Sequence, residues 1–205
     1  MDVSILIPYN KDRGWLKDCI ASAENQNFDG TWEVIPYESD NFVGYNMNRA
    51  FEQSTGTWIK KLDEDDLLTP NSLQDLFNFA SGGYDWVWAD SIQFTEKEEW
   101  VFRSGRWFDL RDLMKRNCIH GGTGLYHSRI FYETLGWDEN LWTAEEFDWH
   151  LLLTALDYQR GYIPRVVYKQ RIHPASKYNI FVKERNAERL KLRRQIIARY
   201  EKYLK

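Results

Sequence analysis

Gly56-Thr57-Trp58-Ile59-Lys60-Lys61-Leu62-Asp63-Glu64-Asp65-Asp66 is the stretch on which the fold turns. Thr57–Leu62 reads as a strand entering a core, and four acids follow it without a break. Four adjacent carboxylates cannot be buried unpaired, because each costs several kcal/mol to desolvate. A strand that ends in such a run either presents oxygen ligands to a hard divalent cation or forms a solvated acidic turn. The flanking sequence has to decide between the two.

Upstream, Val3-Ser4-Ile5-Leu6-Ile7 is a continuous apolar run closed by Pro8, the pattern of a buried parallel strand. Asp12–Asn25 carries Trp15, Leu16, Cys19, Ile20 and Ala23 at helical spacing. Trp32–Tyr37 is a second strand, Tyr45–Ser54 a helix ended by Gly56, and Thr57–Leu62 the third strand. Thr69 as cap and Pro70 in the first turn open a helix over about Asn71–Ala80, and Trp86–Ala89 is a fourth strand. Alternation of this kind predicts an α/β domain on a mostly parallel sheet, whose ligands bind beyond the carboxyl ends of the strands. Three polar ends converge there: Tyr9-Asn10, Glu38-Ser39-Asp40 and the acid run. Downstream, Asp109–Arg116 and Ser128–Leu135 read as short helices, Ala144–Arg160 as a longer helix stopped near Gly161, and Tyr162–Arg171 as a strand. His120-Gly121-Gly122-Thr123-Gly124 is a glycine-rich connection without the strand-to-helix context of a phosphate loop.

At 205 residues the chain fits one large domain, or one domain plus a small appendage. Ten Trp and twelve Tyr exceed what a core needs, so some are expected to line a groove. No apolar run of about 18 residues predicts a membrane span, no signal peptide is visible, and two cysteines make no disulfide framework. A cytoplasmic location is the expectation. Residues 181–205 hold nine Lys/Arg against three Asp/Glu, leaving the rest of this −4 chain at −10. Such a body does not suit a nucleic-acid binder. Leu190, Ile197 and Leu204 recur at seven-residue spacing in that tail, with Ile196, Tyr200 and Tyr203 beside them. The pattern fits a basic amphipathic helix that packs on the domain, makes peripheral contact with a membrane, or joins another domain.

In order, these segments resemble the family 2 glycosyltransferases of the GT-A fold. Strand–Pro8–Tyr9–Asn10, the acid-ended second strand, Asn48 ahead of Gly56 and Leu62-Asp63-Glu64-Asp65-Asp66 match the nucleotide half. Gly136-Trp137-Asp138-Glu139-Asn140-Leu141, Ala144-Glu145-Glu146-Phe147-Asp148-Trp149 and Arg171-Ile172-His173-Pro174-Ala175-Ser176 match the acceptor half. Each motif is short; their common order over residues 3–176 is specific. The chain departs from the pattern with Glu38 and Glu146 where Asp is usual, Met47 for a common Arg, a shortened Gly44–Asn48 stretch and one residue fewer before Tyr9.

The resemblance implies one GT-A domain over residues 1–180, with a nucleotide half (1–95) and an acceptor half (96–180), plus the helical tail 181–205. It implies a metal-dependent, inverting enzyme that moves a sugar from a nucleotide donor, a UDP-sugar, to a glycan or lipid-linked acceptor. By that resemblance Asp65 and Asp63, with His173, hold Mn²⁺ or Mg²⁺. Pro8, Tyr9, Asn10, Glu38, Asn48, Asp63, Glu64 and Asp65 bind the nucleotide sugar, and His120 and Thr123 contact one of the sugars. Glu146 is the general base, with Glu145 adjacent as the other candidate. Glu64 points away from its neighbours in an extended chain and is expected solvated or salt-bridged. The rivals are a non-catalytic nucleotide-sugar or glycan-binding module and a metal-dependent phosphatase. A phosphatase would carry its Asp-x-Asp on the first strand, whereas this one follows the third.

Overall fold

The computed structural model describes every residue except 107, 177–179, 181, 182 and 205. The elements run β1 (Val3–Tyr9), α1 (Leu16–Glu24), β2 (Trp32–Glu38), α2 (Val43–Glu52), β3 (Trp58–Lys61), β4 (Leu67–Leu68), α3 (Ser72–Ala80), β5 (Trp86–Phe94) and β6 (Glu99–Phe102). They continue α4 (Leu110–Lys115), β7 (Leu125–His127), α5 (Arg129–Thr134), α6 (Glu145–Ala155), β8 (Arg160–Arg171) and α7 (Asn186–Tyr200). One sheet in the order β2-β1-β3-β7-β5-β8-β4, with β6 on β5, joins both halves.

The fold is α/β, and β1 pairs in parallel with both β2 and β3, so Tyr9, Glu38 and the acid run emerge at one edge. The sheet as a whole is mixed rather than mostly parallel. β7 runs antiparallel to β3 and β5, β4 antiparallel to β8, and β6 antiparallel to β5, while β5 and β8 are parallel. The cause is β7, a three-residue strand that the glycine-rich stretch before it conceals. Gly121–Thr123 is a single 3-10 turn that reverses the chain into β7.

Local chemistry accounts for shifted boundaries. Asp12 Oδ1 accepts from Gly14 N at 2.7 Å and Leu16 N at 3.3 Å, and Gly14 adopts φ +96°, so α1 starts at Leu16 rather than Asp12. Thr69 does not cap α3: its hydroxyl donates to Val166 O at 3.2 Å. Gly161 does not stop α6. That helix ends at Ala155, Asp157 turns the chain at φ 59°, and Gly161 lies in β8 against Phe79 and Tyr84.

Helices cover both sheet faces. One core holds Leu6, Ile59, Trp86, Trp88, Tyr126, Trp149 and Ile196; the other holds Val3, Ile5, Ile7, Leu73, Leu76 and Tyr168. Much of the aromatic surplus is therefore core. The tail helix α7 packs on the domain. Ile196 and Tyr200 are buried, Tyr200 Oη donates to Asp148 Oδ1 at 2.9 Å, and Arg193 lies over the Phe147 ring. The ends of the expected tail, Phe181 and Lys205, lie outside the described residues.

Candidate active site

β3 delivers two lysines and the acid run to the carboxyl edge of the sheet. In a strand, successive side chains alternate faces, yet Lys60 and Lys61 are both buried. Lys60 Nζ donates to two carbonyls, Gly122 O and Lys61 O, and lies 5.2 Å from the Tyr168 ring, and burial pushes its pKa down to about 7. Lys61 Nζ donates to Asp63 Oδ1 and Oδ2 at 2.6 and 2.7 Å and to Glu146 Oε1 at 2.7 Å. Burial opposes the Lys61 charge, but Asp63 and Glu146 outweigh it and hold the ammonium well above its ordinary pKa. Burial opposes the Asp63 charge too, and Lys61 prevails, keeping that carboxyl below its usual range.

The remaining acids separate by partner. Glu64 is buried and salt-bridged to Arg13, not solvated. Burial, with Asp65 and Asp63 nearby, raises its pKa to about 7. Asp65 Oδ2 lies 2.8 Å from His173 Nε2, whose ring packs on Trp15 at 4.3 Å. Arg171 donates from Nε to Asp65 O at 3.0 Å and is flanked by the Trp15 and Phe94 rings. Asp66 accepts from Tyr168 Oη at 2.8 Å and from Arg171 N at 2.7 Å, which sews the acid run to β8. Burial, then Asp65 and Asp63, push Asp66 well above the usual carboxylate range.

Three segments thus bring Asp63, Asp65, Glu146 and His173 together: Lys61 joins Asp63 to Glu146, Asp65 pairs with His173, and Tyr168, Asp66 and Arg171 link the two groups. Glu146 lies in the first turn of α6, two residues after Ala144 at φ 64°. Its carboxylate sits against Gly121, where a Cβ would overlap Oε2. Glu145, the neighbouring acid, is half-buried at the first position of α6. Pro8 is buried in β1. Tyr9 and Glu38 are paired across β1 and β2, and burial followed by the Glu38 charge and hydrogen bond raises the phenol pKa. Asn10 is exposed, its Oδ1 3.5 Å from Arg13.

Two expected contacts are otherwise engaged. Asn48 bridges α2 to the turn before α6: its Nδ2 donates to Trp137 O and Glu139 Oε1, and its Oδ1 accepts from Trp137 N, all at 2.9 Å. Asn46, not singled out in the sequence, stands by the nucleotide edge instead, donating to Tyr9 O at 2.9 Å and Ser39 O at 3.1 Å. Thr123 is buried, donating to His120 O at 2.7 Å. His120 lies beside Tyr168, and burial lowers its pKa. Lys61 is the central residue that sequence reasoning passed over. Its signal was a pair of cations one residue ahead of four anions.

The donors at Asp65 and His173 suit a divalent cation. Asp65 Oδ2 and His173 Nε2, hydrogen-bonded to each other at 2.8 Å, are the oxygen and imidazole donors that could hold such an ion. Among the described residues no group of three or more His, Cys, Asp or Glu forms a complete protein cage, so substrate phosphates and water would supply the other positions.

Residues 34–134 match the family model described as glycosyl transferase family 2. Solved structures of S. aureus TarS share the fold. The TarS 1–349 fragment aligns with TM-score 0.69 at 15 % identity over 83 % of this chain and 60 % of that one. The same fragment in complex with UDP-GlcNAc aligns with TM-score 0.69 at 16 % identity over 86 % and 60 %. Longer TarS aligns with TM-score 0.65 at 17 % identity over 98 % and 43 %. The present chain spans about three-fifths of the TarS fragment. Just under half of the chain thus resembles the glycosyl transferase family 2 sequences, and the chain shares the fold of the TarS structures, as the ordered motifs implied.

Proposed function

We propose that this chain transfers a sugar from a UDP-sugar to a hydroxyl of a glycan or lipid-linked acceptor, with inversion at the anomeric carbon. The observation that carries the proposal is the cluster itself: a base candidate, Glu146, and a cation mount, Asp65 with His173, are tied to one acid run at the carboxyl edge of β3. The TarS structures with UDP and UDP-GlcNAc support the choice of donor.

Glu146 takes the acceptor hydroxyl's proton as that oxygen attacks the anomeric carbon. Asp65 and His173 would hold Mg²⁺ or Mn²⁺, which supplies Lewis-acid stabilisation of the departing diphosphate. Arg171, fixed between two aromatic rings beside Asp65, adds a cation facing the phosphates. Glu38 accepts the uracil imide N–H, and Tyr9 stacks on the base. The domain works in the cytoplasm, and the exposed basic side chains of α7, Lys191 and Arg194 among them, face an anionic membrane surface.

The test is UDP release from a panel of UDP-sugars with and without Mn²⁺, alongside thermal shift. A ligand at about 100 times its dissociation constant stabilises by roughly 2.7 kcal/mol. Asp65→Ala is expected to abolish metal-dependent donor binding, and Glu146→Gln to keep binding but lose transfer. Full transfer by Glu146→Gln sinks the base assignment. Binding without any UDP release identifies a non-catalytic module, and phosphate release from simple phosphoesters a phosphatase.

A further inference from the structure

Glu146 is gripped from two sides, by an ammonium on Oε1 and by the bare backbone of Gly121 against Oε2. The ammonium belongs to Lys61, whose side chain is 4 % exposed and lies 5.9 Å from the Trp137 ring, so it cannot swing away into solvent. Its other two contacts go to Asp63, two residues along the same chain. Without that charge, Asp63 and Glu146 would be like charges converging on one buried point, and they would move apart. β3 sits in the middle of the sheet between β1 and β7, so a side chain anchored to it inherits the rigidity of three strands.

We propose that Lys61 and Gly121 form a socket that sets the position of the Glu146 carboxylate relative to the acid run, making Lys61 a positioning residue for transfer and marking Glu146 rather than Glu145 as the acid served. This inference rests on the glycosyl-transfer reading above. Lys61 occupies Oε1 and Gly121 backs Oε2, so the outer edge of the carboxylate is left for the acceptor proton. The tie through Asp63 couples base and donor loop, so the hydroxyl and the anomeric carbon are registered by one lysine. Gly121 is required because any side chain there claims the volume of Oε2. The atom it would displace is the end of a flexible side chain, so Gly121→Ala moves the base without breaking the fold.

The experiment compares Lys61→Met, Gly121→Ala, Glu146→Gln and the two doubles with Glu146→Gln, using the UDP-sugar that the wild type turns over fastest. Displacing a catalytic group by about 1 Å costs on the order of 100-fold, and this is the expected kcat loss for Lys61→Met and for Gly121→Ala. The donor KM and the dissociation constant for UDP should stay within about threefold, since transition-state placement rather than donor binding is lost. Each double should be no slower than Glu146→Gln alone, because residues that act as a unit are non-additive. A folded Gly121→Ala that retains wild-type kcat overturns the socket, as do losses that multiply in the doubles. If Lys61→Met does not fold, Gly121→Ala decides, since it leaves every charge in place. A wild type that releases UDP from no UDP-sugar overturns the transfer reading and the role with it. An active wild type matched by Gly121→Ala overturns the socket only.

Discussion

Gly56 and Gly121 stand on opposite sides of the acid run, and each has a neighbour where its Cβ would go. At Gly56, in the half built by β1, β2 and β3, that neighbour is backbone: Ser4 N lies 2.5 Å from the would-be Cβ. Ser4 is fully buried there, its Oγ accepting from Gly56 N at 2.8 Å and donating to Glu33 Oε1 at 2.6 Å. At Gly121, in the half built around β5, β7 and β8, the neighbour is the tip of Glu146. The first half positions its residues by strand register, which cannot give. The second positions them by side chains tied across long loops. A substitution in the first should break the fold, and the equivalent one in the second should break the chemistry.

The largest effect on stability is expected from Gly56→Ala. Forcing a methyl against strand backbone costs about 3 kcal/mol, whereas Gly121→Ala should cost less than about 1 kcal/mol because a side chain yields. Urea unfolding of the two variants checks the contrast, and equal losses would erase it.

Asp66→Ala comes next. It strips the acceptor from Arg171 N and the nearer of two acceptors from Tyr168 Oη, which keeps Asp63 Oδ2 at 3.3 Å, and the loss should be about 2 kcal/mol. Asp66→Asn keeps an acceptor and should lose less than half of that. A larger loss for Asn would show that the negative charge, not the hydrogen bonding, ties the run to β8.

A pH-dependent effect, small near neutral pH, comes from His150. It is buried behind Tyr126, with Nε2 2.7 Å from the phenol oxygen, and burial, reinforced by Lys61, lowers its pKa from 6.5 to about 3. Below pH 6.5 the unfolded chain takes up a proton that the folded chain refuses. Stability is therefore lost as the pH falls toward 3, by at most about 1.4 kcal/mol per pH unit. His150→Gln should flatten that part of the pH profile in denaturant titrations, and an unchanged profile would remove His150 from the account.

The smallest effect belongs to Arg199, whose guanidinium reaches Asp138 at 2.8 Å and Asp148 at 3.2 Å from α7. Its side chain is 44 % exposed, so Arg199→Ala should cost under about 1 kcal/mol, the range of surface ion pairs. A greater loss of melting temperature would make α7 a structural part of the second half rather than a cover on it.

The same contrast explains what the sequence revealed. Val3–Ile7 and Thr57–Leu62 announce themselves because buried parallel strands must be apolar and end in polar turns, and the gathering of Tyr9, Glu38 and the acid run at one edge followed from that. β7 was hidden because three residues carry no periodicity and a glycine-rich turn precedes them. The long range of β5 was hidden because Asp90 and Ser91 interrupt its apolar pattern; Asp90 is buried but held by Arg103 and Ser104. Local pattern could not show the partners of Asn48 either, since Trp137 and Glu139 lie some ninety residues away. Lys61 could not be read as buried because its counter-charges include Glu146, 85 positions further on. The acid run was legible as a motif, but the partners that divide its members come from loop closure.

Asp66 gives the assembly a direction in time. Its two partners, Tyr168 and Arg171, lie 102 and 105 positions downstream. A chain emerging from the ribosome can close β1, β2 and β3 early, because their pairings span fewer residues, while contacts of larger sequence separation form late. Until β8 and His173 have emerged, four acids stand beside two lysines with no strand to receive them. During synthesis the nascent domain thus passes through an interval in which its scaffold exists and its chemistry does not, and the final third of the chain acts as the key that arms it.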